Sequence, residues 1–334
     1  EALRAVDGGA VDAVAAASDA PRDEALARHA RRLAAQDRWI DYTPAPLARA
    51  AEGCISGRGE HSLTWALEFL VNANAHPYTM LHYGDDPDQV GDLRLPSTPA
   101  PGRTPLIVLL HGGFWRESYR RDVMAALAVD LARHGIATWN VEYRRVGGSG
   151  GGCPRTFEDV ARAVDFTAGL CTRHRLREAP PVIVGHSAGG HLALWSAARA
   201  RLAPGTIGAA PAVTPALVVA LAAVSDLSQA RRLGIGAGAV AAFLPSPADE
   251  AWTDPRALLP LGVAQLLVHG TADESVPWTL AQSYAEAARA ARDPVEFLSL
   301  PDETHMPLIE PRSAAWRRTF AAMSRHASLS GESP

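Results

Sequence analysis

Ser187 lies between glycines in the stretch Gly185-His186-Ser187-Ala188-Gly189, with Gly190 directly behind it. No other stretch limits the possible folds as tightly. Upstream, Pro181-Val182-Ile183-Val184 is apolar and β-branched; downstream, His191 to Ala198 is a run that favours helix. A buried strand therefore ends, turns sharply and passes into a helix, with the serine at the apex. That is the context in which a G-x-S-x-G string presents a nucleophile. A strained turn crowds its own backbone, and Gly185 and Gly189 remove the side chains that would clash there. The helix that follows aims its first free N–H groups at any charge developing beside the serine.

The rest of the chain supplies a matching architecture. Residues 1–75 read as a helical extension, rich in Ala, Arg and Asp, with Leu26, Leu33 and Ile40 at loose helical intervals. A partial lid over a neighbouring site is the role expected for it. Residues 76–330 read as the main domain. Met80 to Tyr83 and Val90 to Leu95 suggest an opening hairpin that stops at Pro96. Leu106 to Leu110 is continuously apolar, as in a strand buried on both faces. Further strands are expected at Ile136 to Tyr143, Ala216 to Val224, Leu266 to His269 and Val295 to Leu300. Helices are expected from about Tyr119 to His134, Phe157 to His174, Trp278 to Arg292 and Ser313 to Ser324. Residues from about 226 to 260 read as a small insertion of short helices above the sheet. Strands alternating with helices of this length predict a mostly parallel, twisted sheet with helices on both faces.

A serine hydroxyl barely ionises at neutral pH, so it needs a base, and the base needs an orienting acid. Behind a strand-to-helix serine these partners follow in the order nucleophile, acid, base, on loops after late strands. Asp273, after the strand at Leu266 to His269, holds the place of the acid. His305, after the last strand, holds the place of the base. Glu274 beside Asp273 and Asp226 after the preceding strand are rival acids, and Asp273 itself has a plain turn or helix-cap alternative. An attacked carbonyl also needs preorganised donors for its oxyanion. The backbone N–H of Ala188 is one; Gly113 and Phe114, in His111-Gly112-Gly113-Phe114-Trp115, are the others expected. His186 and His191 read as packing or surface residues.

Bulk properties exclude other classes. The formal net charge is -4 and no basic run would track phosphates, so no nucleic-acid partner is expected. No apolar run reaches membrane length, so no membrane partner is expected. Cys54, Cys153 and Cys171 are odd in number and widely spaced, which fits neither a disulfide framework nor a metal site and points to a reducing, cytoplasmic compartment. No metal or organic cofactor is implied. The partner expected is a small-molecule substrate, and a homodimer is left open.

Four segments carry a family resemblance: HGGFW at 111–115, GHSAGG at 185–190, GTADESVP at 270–277 and THMPLIE at 304–310. Together they resemble the α/β-hydrolase fold, and more narrowly the kynurenine formamidase (arylformamidase) and hormone-sensitive-lipase-like branch of esterases. Trp115, where many lipases carry a third glycine, is similar to the formamidase form of the loop. Tyr83-Gly84, Asp92-Leu93 and Pro96 resemble the formamidase lead-in, and Leu308-Ile309-Glu310 the segment after its histidine. The resemblance runs from about Tyr83 to the end and does not extend to the N-terminal portion.

What it implies is a serine hydrolase working by acyl transfer on an aryl formamide of the N-formylkynurenine kind or on a small ester. A broad carboxylesterase for short acyl chains is the alternative. Phe114, Trp115 and Met306 would then line the substrate pocket, although aromatic side chains are more often core than ligand contacts. A catalytically silent binding protein of the same fold is the competing class. Such proteins usually lack one member of the triad, and here all three residues are present.

Overall fold

The computed structural model describes residues 77–147 and 150–327, together with the backbone of two short parallel strands, Ile40–Asp41 and Ile55–Ser56. The chain divides into two units, Glu1–Pro77 and Tyr78–Pro334. The lid expected of residues 1–75 lies outside the described residues, and so does Cys54.

The second unit is built on an eight-stranded sheet. Its strands are β1 (Tyr78–His82), β2 (Val90–Arg94), β3 (Leu106–Leu110), β4 (Ala137–Val141), β5 (Val182–His186), β6 (Leu217–Leu221), β7 (Ala264–Gly270) and β8 (Val295–Leu300). Their order across the sheet is β1-β2-β4-β3-β5-β6-β7-β8. The first pair is the expected hairpin, with Tyr78 opposite Arg94, and β2 is also antiparallel to β4. Every other pairing is parallel. β3 to β6 are buried at every position, as strands covered on both faces must be, whereas β1 at the edge is largely exposed.

The order fixes where a site can form. From β3 the chain steps outward to β4, then returns past β3 to lay down β5 on its other side. The loops leaving β3 and β5 therefore diverge from neighbouring strands, and they open a crevice at the carboxyl ends of the sheet.

The helices are α1 (Ala125–Arg133), α2 (Arg155–Asp165), α3 (Thr167–His174), α4 (Ala188–Ala198), α5 (Leu227–Arg232), α6 (Ile235–Phe243), α7 (Glu250–Thr253), α8 (Trp278–Ala290) and α9 (Ala314–His326). The short helices α5 to α7 occupy the stretch read as an insertion. Two expectations change. The helix expected from Tyr119 opens as a 3-10 turn at Arg121–Met124. The helix expected over Phe157 to His174 is two helices that meet at Phe166, where the Thr167 hydroxyl donates to the Val164 carbonyl at 2.6 Å. α4 is buried along its whole length, so its apolar composition carries no amphipathic stripe. One side of the core is aromatic: Phe157 lies 4.8 Å from Trp195, 5.2 Å from Trp252 and 5.3 Å from Phe243, centroid to centroid.

Candidate active site

Ser187 sits between the end of β5 and the start of α4 with φ 56° and ψ -118°. A non-glycine residue held there costs on the order of 1–3 kcal/mol and survives only where its surroundings fix it. They do: the Ser187 N–H donates to Leu221 of β6 at 2.8 Å, and the His191 and Val224 N–H groups donate to its carbonyl at 3.2 and 3.3 Å. The glycines act as the sequence implied. A Cβ at Gly185 would overlap the Gly189 carbonyl, and one at Gly189 would overlap the Leu110 carbonyl of β3.

Two of the predicted partners meet. His305 Nδ1 donates to Asp273 Oδ2 at 2.7 Å. The other carboxyl oxygen, Oδ1, accepts from the Ser275 and Val276 N–H groups at 2.8 and 2.9 Å. This turn points Oδ2 at the imidazole. Burial alone would raise the Asp273 carboxyl, but hydrogen bonds from His269 and His305 hold it well below the usual carboxylate range. The rival acids go elsewhere. Glu274 is exposed, and Asp226 caps α5 by accepting from the Gln229 N–H at 2.7 Å.

Two histidines not assigned to the site in the sequence touch its members. His186, next to Ser187, donates from Nε2 to the His305 carbonyl at 3.1 Å, and the two rings lie 4.5 Å apart. This contact brings His305 alongside the elbow. Burial pushes the His186 imidazole down to about 3. It is neutral at ordinary pH. His269 Nε2 lies 3.1 Å from Asp273 Oδ2 and 2.9 Å from the Val276 carbonyl. The spacing of His269 four residues before Asp273 at a strand end was the available signal. His191, by contrast, is core: its Nε2 donates to the Thr253 carbonyl at 2.9 Å, and burial pushes it down to about 4.

The 111–115 loop runs beside the elbow. A Cβ at Gly112 would stand 3.0 Å from Ser187 Cβ and 2.9 Å from the His186 carbonyl oxygen, so the loop backbone passes as close as only glycine permits. Gly113, Phe114 and Trp115 have φ of 107°, 54° and 56°. Among the described residues, neither the Gly113 nor the Phe114 N–H reaches a backbone acceptor. Trp115 corrects the reading of it as a pocket residue. Its indole is 1% exposed and stacks on Phe243 at 4.4 Å with an edge contact to His191, so it packs as core. Phe114 is half-buried against Gly236 of α6, and Met306 is 42% exposed beside His305. Among the described residues, no group of three His, Cys, Asp or Glu side chains could hold a metal ion.

The BD-FAE family model matches residues 92–236, a span that includes the 111–115 loop and Ser187 and ends before Asp273. The chain resembles esterase B of Lactobacillus rhamnosus over 80% of its length and 93% of that chain, at 15% identity and a TM-score of 0.67. It also resembles carboxyl esterase 2 of the fungus Tuber melanosporum, over 76% and 86% of the two chains, at 16% identity and a TM-score of 0.62. The fold is the α/β-hydrolase fold. A bifunctional GH43-CE protein of Bacteroides eggerthii is similar at 21% identity and a TM-score of 0.63 over 75% of this chain, which spans 35% of that protein's length. No curated protein matches the chain by sequence. Among the described residues no helix is long and apolar enough to cross a membrane.

Proposed function

We propose that the chain is a serine hydrolase of the esterase type, acting by acyl transfer on small carboxylic esters. Ser187 attacks the carbonyl, His305 takes its proton and returns it to the leaving alcohol, and Asp273 holds the imidazole in the tautomer that accepts at Nε2. The N–H groups of Ala188, Gly113 and Phe114 receive the oxyanion. Water then releases the acyl group from Ser187 by the same route in reverse. The observation that carries this reading is the 2.7 Å Asp273–His305 hydrogen bond, tied through His186 to a serine in a strained strand-to-helix turn. The BD-FAE match and the esterase names of similar structures support the ester over other acyl substrates.

An aryl formamide is the second reading, favoured by the tryptophan of the His111-Gly112-Gly113-Phe114-Trp115 loop. Because that indole is packed in the core, its support comes through the loop's shape and not through a substrate contact. One experiment separates the readings. The protein is assayed with p-nitrophenyl acetate, p-nitrophenyl butyrate and N-formylkynurenine, and labelled with a fluorophosphonate. Ester turnover and labelling that both vanish in Ser187→Ala are expected. Formamide turnover without ester turnover moves the assignment to an amidase, and absence of labelling in the intact protein points to a binding role.

A further inference from the structure

Glu142 is fully buried just beyond the end of β4, beneath the 111–115 loop, and acyl transfer as described gives it no part. Burial alone would raise its carboxyl, but Arg145, then His111 and Arg120, hold it far below the usual range, so it is ionised. Its Oε1 lies 2.9 Å from His111 Nε2 and 3.1 Å from Arg145 Nη1. Its Oε2 accepts from the Arg121 N–H at 3.2 Å and from Arg120 Nε at 3.4 Å. The second nitrogen of His111, Nδ1, lies 2.8 Å from the Gly112 carbonyl oxygen. A carboxylate and a carbonyl can only accept, so both ring nitrogens of His111 donate, and an imidazole that donates twice carries a positive charge. Tyr143 fixes this ring: it stacks at 4.3 Å with the planes 8° apart, and its hydroxyl donates to the His111 carbonyl at 2.7 Å.

The Gly112 carbonyl shares a peptide unit with the Gly113 N–H. Among the described residues the cis peptides are at Pro154 and Pro260, so this one is trans, and its C=O and N–H point in opposite directions. Tethering the carbonyl to His111 therefore turns the Gly113 N–H away from the ring. A charged donor on the carbonyl also polarises the amide and strengthens the N–H at its other end. The same peptide runs past the nucleophile, where a Cβ on Gly112 would come within 3.0 Å of Ser187 Cβ.

We propose that Glu142 and His111 are a charged positioning pair that aims and polarises the Gly113 N–H as an oxyanion donor. The proposal rests on the serine-hydrolase reading. Neither residue touches substrate. Their effect passes from Glu142 to the imidazolium, from its Nδ1–H to the Gly112 carbonyl, and from the Gly113 N–H to the oxygen that gains charge.

The test uses Glu142→Gln and His111→Gln, which keep hydrogen-bonding side chains and remove the charges. For each, kcat and KM are measured on the best ester, along with affinity for an arylboronic acid, which adds to the serine as a tetrahedral anion. All values are expressed per competent site by fluorophosphonate titration. A weakened donor should cost less than the 10²–10³-fold of a lost one, so each variant is expected to lose about tenfold in kcat, with KM within about twofold of wild type. Boronate affinity should fall by the same factor, and the double variant should be no worse than the more affected single one. A merely structural role would lower the fraction of competent sites and leave boronate affinity per site intact, which overturns the proposal. So does unchanged kcat in both variants. If Glu142→Gln fails to fold because Arg145 keeps only Asp88 of its two carboxylates, His111→Gln decides on the same readouts. Wild-type protein that neither labels nor turns over overturns the serine-hydrolase reading and the pair with it. Wild-type turnover with unaffected variants overturns the pair alone.

Discussion

Replacing Asp273 by Asn keeps its volume but leaves His305 Nδ1 facing a neutral amide, so the imidazole loses both its tautomer and its counter-charge. Asp273→Asn should lower kcat by about 10³–10⁴-fold with little change in KM, read by steady-state kinetics on an ester. The two rival carboxylates supply the contrast. Glu274→Gln should leave turnover intact. Asp226→Ala should leave turnover intact and cost about 1 kcal/mol of stability, because it removes the acceptor that caps α5. Sequence placed Asp273 as the acid by its position after a late strand, but kept Glu274 as a rival, since adjacent residues on a turn have no periodicity to say which faces inward. The Ser275 and Val276 N–H groups decide it by holding one Asp273 oxygen and turning the other toward His305. His186 shows the same limit from the other side. Its packing on His305 joins residues 119 positions apart, and nothing local records it.

At the scale of the element, the turn and α4 behave as one packed unit. A Cβ on Gly190 would meet Ala223 Cβ at 2.6 Å, and that atom hangs from backbone just past β6 that cannot swing aside. Gly190→Ala should therefore destabilise the protein by about 1–3 kcal/mol, measured by urea unfolding, although alanine is the better helix former. A helix buried on every side is governed by space, not propensity. The serine's place was legible because the strand, the glycines and the helix are contiguous in sequence. The junction of α2 and α3 at Phe166 was not, because the helical pattern runs through it unbroken. Trp115 was misjudged for a related reason. A loop motif fixes which backbone can bend, whereas the direction of a side chain with φ near 56° depends on Phe243, which arrives much later in the chain.

Across the whole molecule, buried ionisable groups make stability depend on pH. His186 and His191 are held down to about 3 and about 4, against an ordinary 6.5, so between those limits the unfolded chain binds more protons than the folded one. Their contribution to stability falls as pH falls through that window. Asp254 acts in the opposite sense. Burial raises it to about 6 from 3.8, so the folded chain binds its proton more tightly and the protein gains from it as pH falls through the interval. Burial raises Asp92 and Asp122 as well, and it lowers His174; the drops at His186 and His191 are the largest of these shifts and set the sign. The Tm should therefore drop steadily from pH 7 to pH 4, followed by circular dichroism in matched salt, and the slope should flatten in His191→Gln. Below the carboxylate range the loss should steepen as Glu142 and Asp273, both held low in the fold, take up protons.

The sequence by itself determined the class of fold, the position of the serine turn and the order in which an acid and a base must follow it. Those features are written in local periodicity and in glycines that no other residue can replace. The tertiary structure alone decided how the Asp273 carboxyl is turned toward His305, that Trp115 belongs to the core, and that Glu142 lies beneath the 111–115 loop, paired with its His111. Each of these depends on how side chains from distant strands meet at the carboxyl ends of the sheet, a matter of direction in space that residue order does not encode.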